Sequence, residues 1–217
     1  MITTRYTWIP GVAAFLVAAT IGYAQSPIYT ITFNSASDAT AFNTETTGGA
    51  TASFVAGDAP AGQSLSTGAL LMTMPAGGSW YYVAEYFNTP QNLSAATTFS
   101  LWYKIVQGDT GGGINSLQPI IKDNSNGWDE STYTPGISGT GWTYWSMPAS
   151  DFPEPGTSIN AADGYIQSIW DGSVGASGLQ IEFDNIQWSG APVPEPATLA
   201  LCGIGGLLGL FMVRRKS

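Results

Sequence analysis

Histidine is absent from the 217-residue chain, and this absence excludes several kinds of chemistry. Without an imidazole the protein has no serine–histidine triad, no histidine-ligated zinc and no ordinary general base for neutral pH. Cysteine is nearly absent as well, since Cys202, close to the C-terminus, is the only one. The central part of the chain therefore has no disulfide, and its stability must come from a hydrophobic core or a bound ion.

Positive charge is scarce in the central part of the chain. Of the six Lys and Arg residues, four lie near the two ends, at Arg5, Arg214, Arg215 and Lys216. Residues 25–194 keep only Lys104 and Lys122 against fourteen carboxylates, a net charge near −12. Phosphate binding needs clustered cations, so we expect no nucleic acid partner for this part and favour a cation or a neutral polymer.

The C-terminus holds a long apolar run. Seventeen largely apolar residues from Ala197 to Val213 would form a helix about 25 Å long, close to the hydrocarbon thickness of a membrane. The basic residues Arg214, Arg215 and Lys216 follow it and would stay in the cytoplasm. The pattern predicts a transmembrane helix over 197–213 with the rest of the protein outside the inner membrane. A plain C-terminal anchor explains both the run and the charges.

A plain anchor does not require the tripeptide Pro194-Glu195-Pro196 that precedes this run. Tripeptide, short apolar helix and basic end together resemble the PEP-CTERM sorting signal of exopolysaccharide-producing Gram-negative bacteria. The resemblance implies that the membrane transpeptidase exosortase recognises the tripeptide and removes the tail. It also implies a domain in the periplasm before processing, and at the outer surface or in the extracellular matrix afterwards.

The N-terminus is typical of a secretory signal peptide. Residues 1–24 carry one cation, Arg5, then an apolar run over 9–21 and small residues where signal peptidase would cleave, after Ala24. The predicted organisation comprises a signal peptide at 1–24, one domain at 25–188, a spacer at 189–192 and the sorting signal at 193–217.

Helical periodicity is missing from the central domain, whereas β signals recur throughout. Short runs rich in Val, Ile, Thr and aromatic residues alternate with clusters of Gly, Asn, Asp, Ser and Pro. Nine such runs predict strands, at Ile28–Asn34, Thr51–Ala56, Ala69–Pro75, Ser79–Phe87, Thr97–Gln107, Leu117–Asp123, Gly141–Pro148, Tyr165–Asp171 and Leu179–Trp188. Nine strands in one domain predict an all-β fold, a two-sheet antiparallel β-sandwich of the jelly-roll type.

Three stretches of sequence resemble jelly-roll carbohydrate-binding modules and galactose-binding-like domains. They are Gly141–Pro148 with Asp151-Phe152, Leu179–Ile186 and Thr98–Lys104, which are similar to the GW…IP…DF, IxFDNI and fsfW segments of those domains. The resemblance follows the order of elements over most of residues 28–188 and implies the same sandwich. Such sandwiches serve binding, adhesive and structural roles, so the fold alone does not give the function.

Tryptophan and tyrosine are abundant in the domain, which favours a site for sugars. Glycan sites stack flat aromatic rings on the apolar face of a sugar and place polar side chains around its hydroxyls. The alternative is core packing, which we expect for Trp142 and Trp188. The candidates for carbohydrate binding are Trp128, in a polar loop, and four residues on predicted strands: Trp102, Lys104, Trp80 and Tyr82.

Calcium is the one cofactor for which the sequence gives any signal. The loop over 123–130 is rich in Asp and Asn but lacks the spacing of an EF-hand, so a solvated turn is the favoured interpretation. The jelly-roll resemblance implies a structural calcium held by the aspartate of the closing strand, here Asp184, and by an acid after the first strand. Asn34 stands where that acid is usual, and Asp38 or Glu45 is the substitute.

Catalysis is not indicated by any motif. A glycosidase needs two carboxylates about 5–10 Å apart across a cleft, and nothing in the sequence singles out Glu85, Glu182 or Asp184 for this role. We therefore expect an exported, exosortase-sorted protein that binds carbohydrate or exopolysaccharide without being an enzyme. The alternative is a structural or adhesive protein of the matrix or biofilm without specific sugar binding.

Overall fold

The computed structural model describes residues 23–194, apart from residues 64 and 79 and the segments 109–113, 124–126, 131–133, 153–160 and 171–177. The chain divides into two compact units, one formed by Gln25–Pro192 and the other by Met1–Ala24 with Val193–Ser217. Most of the second unit lies outside the described residues, and with it the predicted signal peptide, the helix over 197–213, Glu195, Pro196 and the basic end. Ala24 and Pro194 are described, each within a strand.

Twelve strands and one short helix form the described part of the chain. Six strands make up sheet A: β1 (Tyr23–Ile31), β3 (Thr51–Ala56), β4 (Gly68–Met74), β6 (Thr98–Gln107), β10 (Thr143–Pro148) and β12 (Leu179–Pro194). Six more make up sheet B: β2 (Glu45–Thr47), β5 (Trp80–Gln91), β7 (Ile114–Asp123), β8 (Gly127–Glu130), β9 (Thr134–Ile137) and β11 (Ala162–Trp170). The helix α1 (Ala36–Thr40) precedes β2, and a 3₁₀ turn (Ala149–Asp151) follows β10.

The strands pair as a two-sheet sandwich. Sheet A has the order β10-β6-β12-β4-β3, with β1 also paired to β12, and sheet B has the order β2-β5-β11-β7-β8, with β9 also paired to β7. The pairings of β10 with β6, of β11 with β5 and β7, and of β12 with β4 and β6 are antiparallel. The predicted all-β, antiparallel β-sandwich is therefore confirmed. The sequence did not predict the short strands β2, β8 and β9 or the helix α1.

The core lies between the two sheets and follows the alternation of each strand. Along β6 the residues that face the core are buried, as their apolar character predicts: Phe99, Leu101, Tyr103 and Ile105. Trp188 is buried as predicted, with its ring 4.9 Å from Phe99 and 5.5 Å from Tyr165. The expectation for Trp142 is wrong, because it is only half-buried and contacts charged groups on the outside of sheet A.

A β-bulge in β12 sets which residues of that strand face the core. Asp184 pairs with Trp102 and Gln187 pairs with Ser100, so two residues of β12 lie opposite Leu101 alone. The extra residue, Asn185, has φ +46°, a left-handed conformation that asparagine tolerates better than most residues. Without it the alternation of the strand would turn Ile186 and Trp188 outward, yet both are buried.

The last strand is longer than the sequence indicated. Residues 189–192, predicted as a spacer, continue β12, which ends at Pro194. Ser189 is buried, and its carbonyl accepts a hydrogen bond of 2.8 Å from the N–H of Thr97. Within residues 23–194 no described helix is long and apolar enough to cross a membrane.

Candidate functional site

The five predicted carbohydrate-binding residues divide between the two sheets. Trp80 and Tyr82 lie on β5 and Trp128 lies on β8, all in sheet B, whereas Trp102 and Lys104 lie on β6 in sheet A. Two sheets that pack face to face have outer faces that point in opposite directions. The five residues therefore do not form one site, and each sheet offers a separate candidate surface.

Sheet B presents an aromatic platform on its outer face. The rings of Trp80 and Tyr82 lie 5.2 Å apart at an angle of 57°. The indole N–H of Trp80 donates a hydrogen bond of 2.8 Å to the hydroxyl of Ser168 on β11, which fixes the orientation of its ring. Together with Tyr82, three aliphatic side chains form a small buried cluster against Trp80: Ala84, Ile120 and Ile166. Tyr82 is only 8% exposed, so within this cluster the half-buried ring of Trp80 is the part that a ligand can contact.

A polar network borders this platform. The Glu45 carboxylate on β2 accepts hydrogen bonds from the hydroxyls of Tyr82, at 2.8 Å, and of Tyr86. The Lys122 ammonium on β7 donates to the Tyr86 hydroxyl at 2.6 Å and lies 3.7 Å from Glu45. The hydrogen bond from Tyr86 lowers the pKa of Glu45, and burial with the bond to Glu45 raises the pKa of Tyr82 to about 12. At neutral pH the network is thus a carboxylate with two tyrosine donors.

A cavity of about 310 Å³ lies at one end of the platform. Lys122, Tyr86 and Asp163 contribute to its lining. Asp163 is an extra residue of β11 relative to β7, because Ala162 pairs with Asp123 and Gly164 with Lys122. Its carboxylate is buried, and Oδ1 has no hydrogen-bond partner among the described residues. A buried acceptor without a partner suits a ligand that brings a hydroxyl donor.

Trp128 is placed by the register of its strand. It pairs with Lys122 across β7 and β8, at the part of sheet B that carries the polar network. The prediction that Trp128 lies in a loop is wrong, because Gly127–Glu130 forms the edge strand β8. An edge strand of four residues lacks the alternation that makes longer strands recognisable.

Sheet A carries a second aromatic pair on its outer face. Trp102 on β6 lies opposite Tyr144 on β10, and their rings are 5.3 Å apart at an angle of 57°. They border a cleft of about 350 Å³ whose remaining lining is mostly polar and uncharged: Gln63, Leu65, Ser100, Asn185 and Gln187. The sequence did not predict Tyr144, Asn185 or Gln187 as site residues, since their place beside Trp102 depends on strand pairing and on the bulge in β12.

Lys104 is held by ion pairs within the protein. Its ammonium pairs with Asp58 and lies 2.5 Å from the carboxylate of Glu182, which is almost wholly buried. Asp58 also accepts a hydrogen bond of 3.1 Å from the indole N–H of Trp142, whose ring lies 5.2 Å from the Lys104 ammonium. Burial raises the pKa of Glu182, and the hydrogen bond from Lys104 lowers the pKa of Asp58. Lys104 thus neutralises carboxylates of the domain itself.

The three predicted calcium ligands make hydrogen bonds inside the domain. Asp38 accepts the backbone N–H groups of Asn34, at 2.8 Å, and of Ser35, at 2.9 Å, at the start of α1. Asp184 is buried and accepts the hydroxyl of Ser66 and the N–H of Asn185, while its burial raises its pKa to about 6. In the part of the chain that the structure describes, no three Asp, Glu or Cys side chains form a metal-binding group. The calcium site remains a prediction.

Glu85 does not share a surface with the other two carboxylates considered for catalysis. Glu85 lies on β5 in sheet B, and burial with the nearby charge of Asp38 raises its pKa to about 7. Glu182 and Asp184 lie on β12 in sheet A, where both are buried and bonded to other side chains.

Comparison with known proteins identifies the C-terminal segment. The family model of the PEP-CTERM protein-sorting motif matches residues 192–216, which confirms the prediction made from Pro194, the two residues after it and the basic end. The motif indicates exosortase-dependent export in a Gram-negative bacterium. No curated protein matches the sequence.

Several solved structures are similar to the domain at low sequence identity. The β-1,2-glucanase from Parabacteroides distasonis has a TM-score of 0.54 and 13% identity over 79% of this chain and 26% of the enzyme. An exo-β-agarase has a TM-score of 0.52 and 13% identity over 77% of this chain and 26% of that protein. The chain therefore spans about a quarter of the length of these two enzymes, and the likeness shows the fold.

Carbohydrate-binding modules are also among the structural neighbours. The CBM22-1 xylan-binding domain from Paenibacillus barcinonensis Xyn10C has a TM-score of 0.47 and 13% identity over 80% of this chain and 99% of that domain.

Proposed function

We propose that the exported domain is a non-catalytic module that binds a carbohydrate polymer on the outer face of sheet B. The observation that carries this proposal is the half-buried ring of Trp80, which packs against the buried Tyr82 and is fixed by its hydrogen bond to Ser168. An aromatic platform with polar groups at its border matches the two sides of a sugar ring, which are an apolar face of C–H groups and a rim of hydroxyls.

The polar border supports the same ligand class. The unpartnered Oδ1 of Asp163 accepts a hydroxyl donor, and the cavity beside it, about 310 Å³, has the size of a small-ligand site. The Glu45 network holds Tyr82 and Tyr86 in place before a ligand arrives. A site that is already ordered loses less conformational entropy on binding, so modest contacts suffice for useful affinity.

A binding role without catalysis is supported by the positions of the carboxylates. Glu85 lies on a different sheet from Glu182 and Asp184, and the latter two are buried and engaged with Lys104 and Ser66. The sorting motif adds a setting, since a protein released from its tail by exosortase would meet polysaccharide at the outer surface or in the matrix. Its partners are then signal peptidase and exosortase during export and a glycan afterwards.

Affinity electrophoresis of the full chain, purified in detergent, tests the proposal. The gels contain agarose, xylan or mixed-linkage β-glucan as neutral polymers and alginate as an anionic one. We expect at least one neutral polymer to retard the protein, and Trp80→Ala to weaken that binding about tenfold, the usual effect of removing an aromatic anchor. Repeating the gels with a chelator tests whether the predicted structural calcium is needed.

Val106→Ala is the matched control, because Val106 is 46% exposed and lies in sheet A outside both cavities. It should bind as the wild type does. Unchanged binding by Trp80→Ala would contradict the proposed face. A folded wild type that none of the polymers retards would contradict sugar binding and favour a structural or adhesive role in the matrix.

A further inference from the structure

The cleft on sheet A is not used by the proposed function, although it has the components of a sugar site. Tyr144 is 50% exposed, and its ring lies at an angle to that of Trp102, so the two rings form adjoining walls instead of a packed core. Leu65, which is also exposed, extends the apolar part of the lining. Large aromatic and aliphatic side chains that stay exposed around a concave surface are typical of contact sites.

The polar part of this lining is supplied by the bulge in β12. The extra residue Asn185 restores the alternation after it, so Trp188 enters the core and Gln187 faces the cleft beside Ser100. Gln63 adds a second side-chain amide of the same kind. Amides and hydroxyls both donate and accept hydrogen bonds, which matches the hydroxyls of a sugar.

The wall that carries Leu65 is anchored to the sheet. The side chain of Asn34 donates to the carbonyl of Leu65 at 3.3 Å and accepts the N–H of Thr67 at 3.0 Å. Between them, the hydroxyl of Ser66 donates to the buried carboxylate of Asp184. Two residues predicted to bind calcium thus hold this loop, and the cleft is ordered without a ligand.

We propose that this cleft is a second binding site, for a neutral glycan, so that one domain holds two polymer chains, one on each outer face. The choice of a sugar rests on the proposed function, whereas the site itself shares no residue with sheet B. Packed sheets lie about 10 Å apart, so the two sites face away from each other across the whole sandwich. A single stiff strand does not reach both, and the domain bridges two chains.

The charges around the cleft select against acidic polymers. None of its lining residues carries a charge. The nearby Lys104 is paired with Asp58 and Glu182, which leaves an excess of negative charge on this part of the sheet. A uronate chain would be repelled by it and would find no free cation among the lining residues.

Bead agglutination tests for two sites in the full chain. Beads are coated with the neutral polymer, among agarose, xylan and mixed-linkage β-glucan, that retards the wild type most. We expect the wild type to agglutinate them through its two sites. Tyr144→Ala and Gln187→Ala should each weaken retention on the polymer, and Tyr144→Ala should abolish agglutination. Trp80→Ala should abolish agglutination too, and the double variant Trp80→Ala/Tyr144→Ala should not bind.

Each outcome separates this proposal from the proposed function. The second site is overturned if Tyr144→Ala and Gln187→Ala keep the wild-type affinity and still agglutinate the beads. Agglutination by dimers that bind through sheet B alone would give this result, because Tyr144→Ala leaves such dimers intact. If Tyr144→Ala loses binding while Trp80→Ala binds as the wild type does, the site on sheet A is supported, but the face on sheet B and the bridging of two chains are overturned. A wild type that binds no polymer overturns both, and equal binding of alginate overturns the preference for a neutral glycan. Val106→Ala should match the wild type, with thermal melting showing that every variant is folded.

Discussion

Lys104 and Lys122 are the only cations of residues 25–194, and they lie on opposite sheets in similar surroundings. Each sits near an aromatic ring, Trp142 at 5.2 Å or Tyr86 at 4.4 Å, and each pairs with a glutamate. The glutamates differ, since the side chain of Glu182 is 4% exposed and that of Glu45 is 33% exposed. An ion pair that satisfies a buried charge is costly to break, whereas an exposed pair contributes little.

The pKa shifts of the two glutamates have opposite signs. Burial raises the pKa of Glu182 despite the nearby lysine, so ionisation of this carboxyl destabilises the folded state. The hydrogen bond from Tyr86 lowers the pKa of Glu45, so its ionised form stabilises the fold. The pair on sheet A therefore makes a buried carboxylate tolerable, and the network on sheet B orders a surface.

Deletion of Asn185 should reduce the stability of the domain more than any other change, and its direct effect is on sheet A. Removing the extra residue reverses the alternation of β12 beyond Asp184, which exposes Ile186 and Trp188 and buries Gln187. Losing a core tryptophan alone costs about 3–5 kcal/mol, so we expect no folded domain. Circular dichroism and thermal melting measure this.

Asn185→Gly is the control for the deletion, because glycine keeps the bulge and adopts a positive φ readily. It should stay folded. A deletion variant that melts cooperatively near the wild-type temperature would show that the bulge is not what directs Trp188 into the core.

Lys104→Met should cost about 3 kcal/mol at pH 7, because it leaves the buried charge of Glu182 without a partner. The folded pKa of Glu182 is raised above 4.5 and would rise further in the variant, so the loss is present at neutral pH. It fades as pH falls through these raised folded pKa values, until the carboxyl is protonated in both folded proteins. Urea denaturation at pH 7 and pH 4 measures it. Lys104→Met/Glu182→Gln should recover much of the loss, and an equal loss at both pH values would assign the effect to packing.

The sequence predicts those features of the two sheets that depend on local pattern. The strand Thr51–Ala56 is found with the predicted bounds, and the inward face of β6 follows from its alternation of apolar residues. Trp142 was misplaced because its environment is set by Asp58 and Lys104, which come from distant parts of the chain.

The division of the candidate residues between two faces was not predictable either. Strand alternation shows that Trp80 and Trp102 each lie on the face of their strand opposite to the core-facing residues. It does not show which sheet each strand joins. That depends on the pairing of β5 with β11 and of β6 with β12, which joins residues about eighty positions apart. The bulge at Asn185 is equally a matter of pairing, although an asparagine inside an apolar strand is a local sign of it.

Glu45→Gln probes the ordered surface on sheet B and should cost about 1–2 kcal/mol at pH 7, since charge-assisted hydrogen bonds to Tyr82 and Tyr86 become neutral ones. The folded pKa of Glu45 lies below 4.5, so its stabilising contribution is complete above 4.5 and is lost as pH falls through the folded value. The difference from the wild type should therefore shrink in acid, as urea titrations from pH 7 to pH 3 measure. A difference independent of pH would contradict the assigned role of the charge.

Lys122→Met should have the smallest effect, below about 1 kcal/mol, because the pair with Glu45 is partly exposed and Tyr86 remains bonded to that carboxylate. Urea denaturation beside Lys104→Met gives the comparison directly, and high salt should reduce the effect of Lys122→Met more, since exposed pairs are screened. Sugar binding gives the second readout. Lys122 lines the cavity beside Asp163, so its loss should weaken retention on a neutral polymer, whereas Lys104→Met should not. Equal losses of stability in the two variants would mean that burial of the partner carboxylate does not determine how much either lysine contributes to stability.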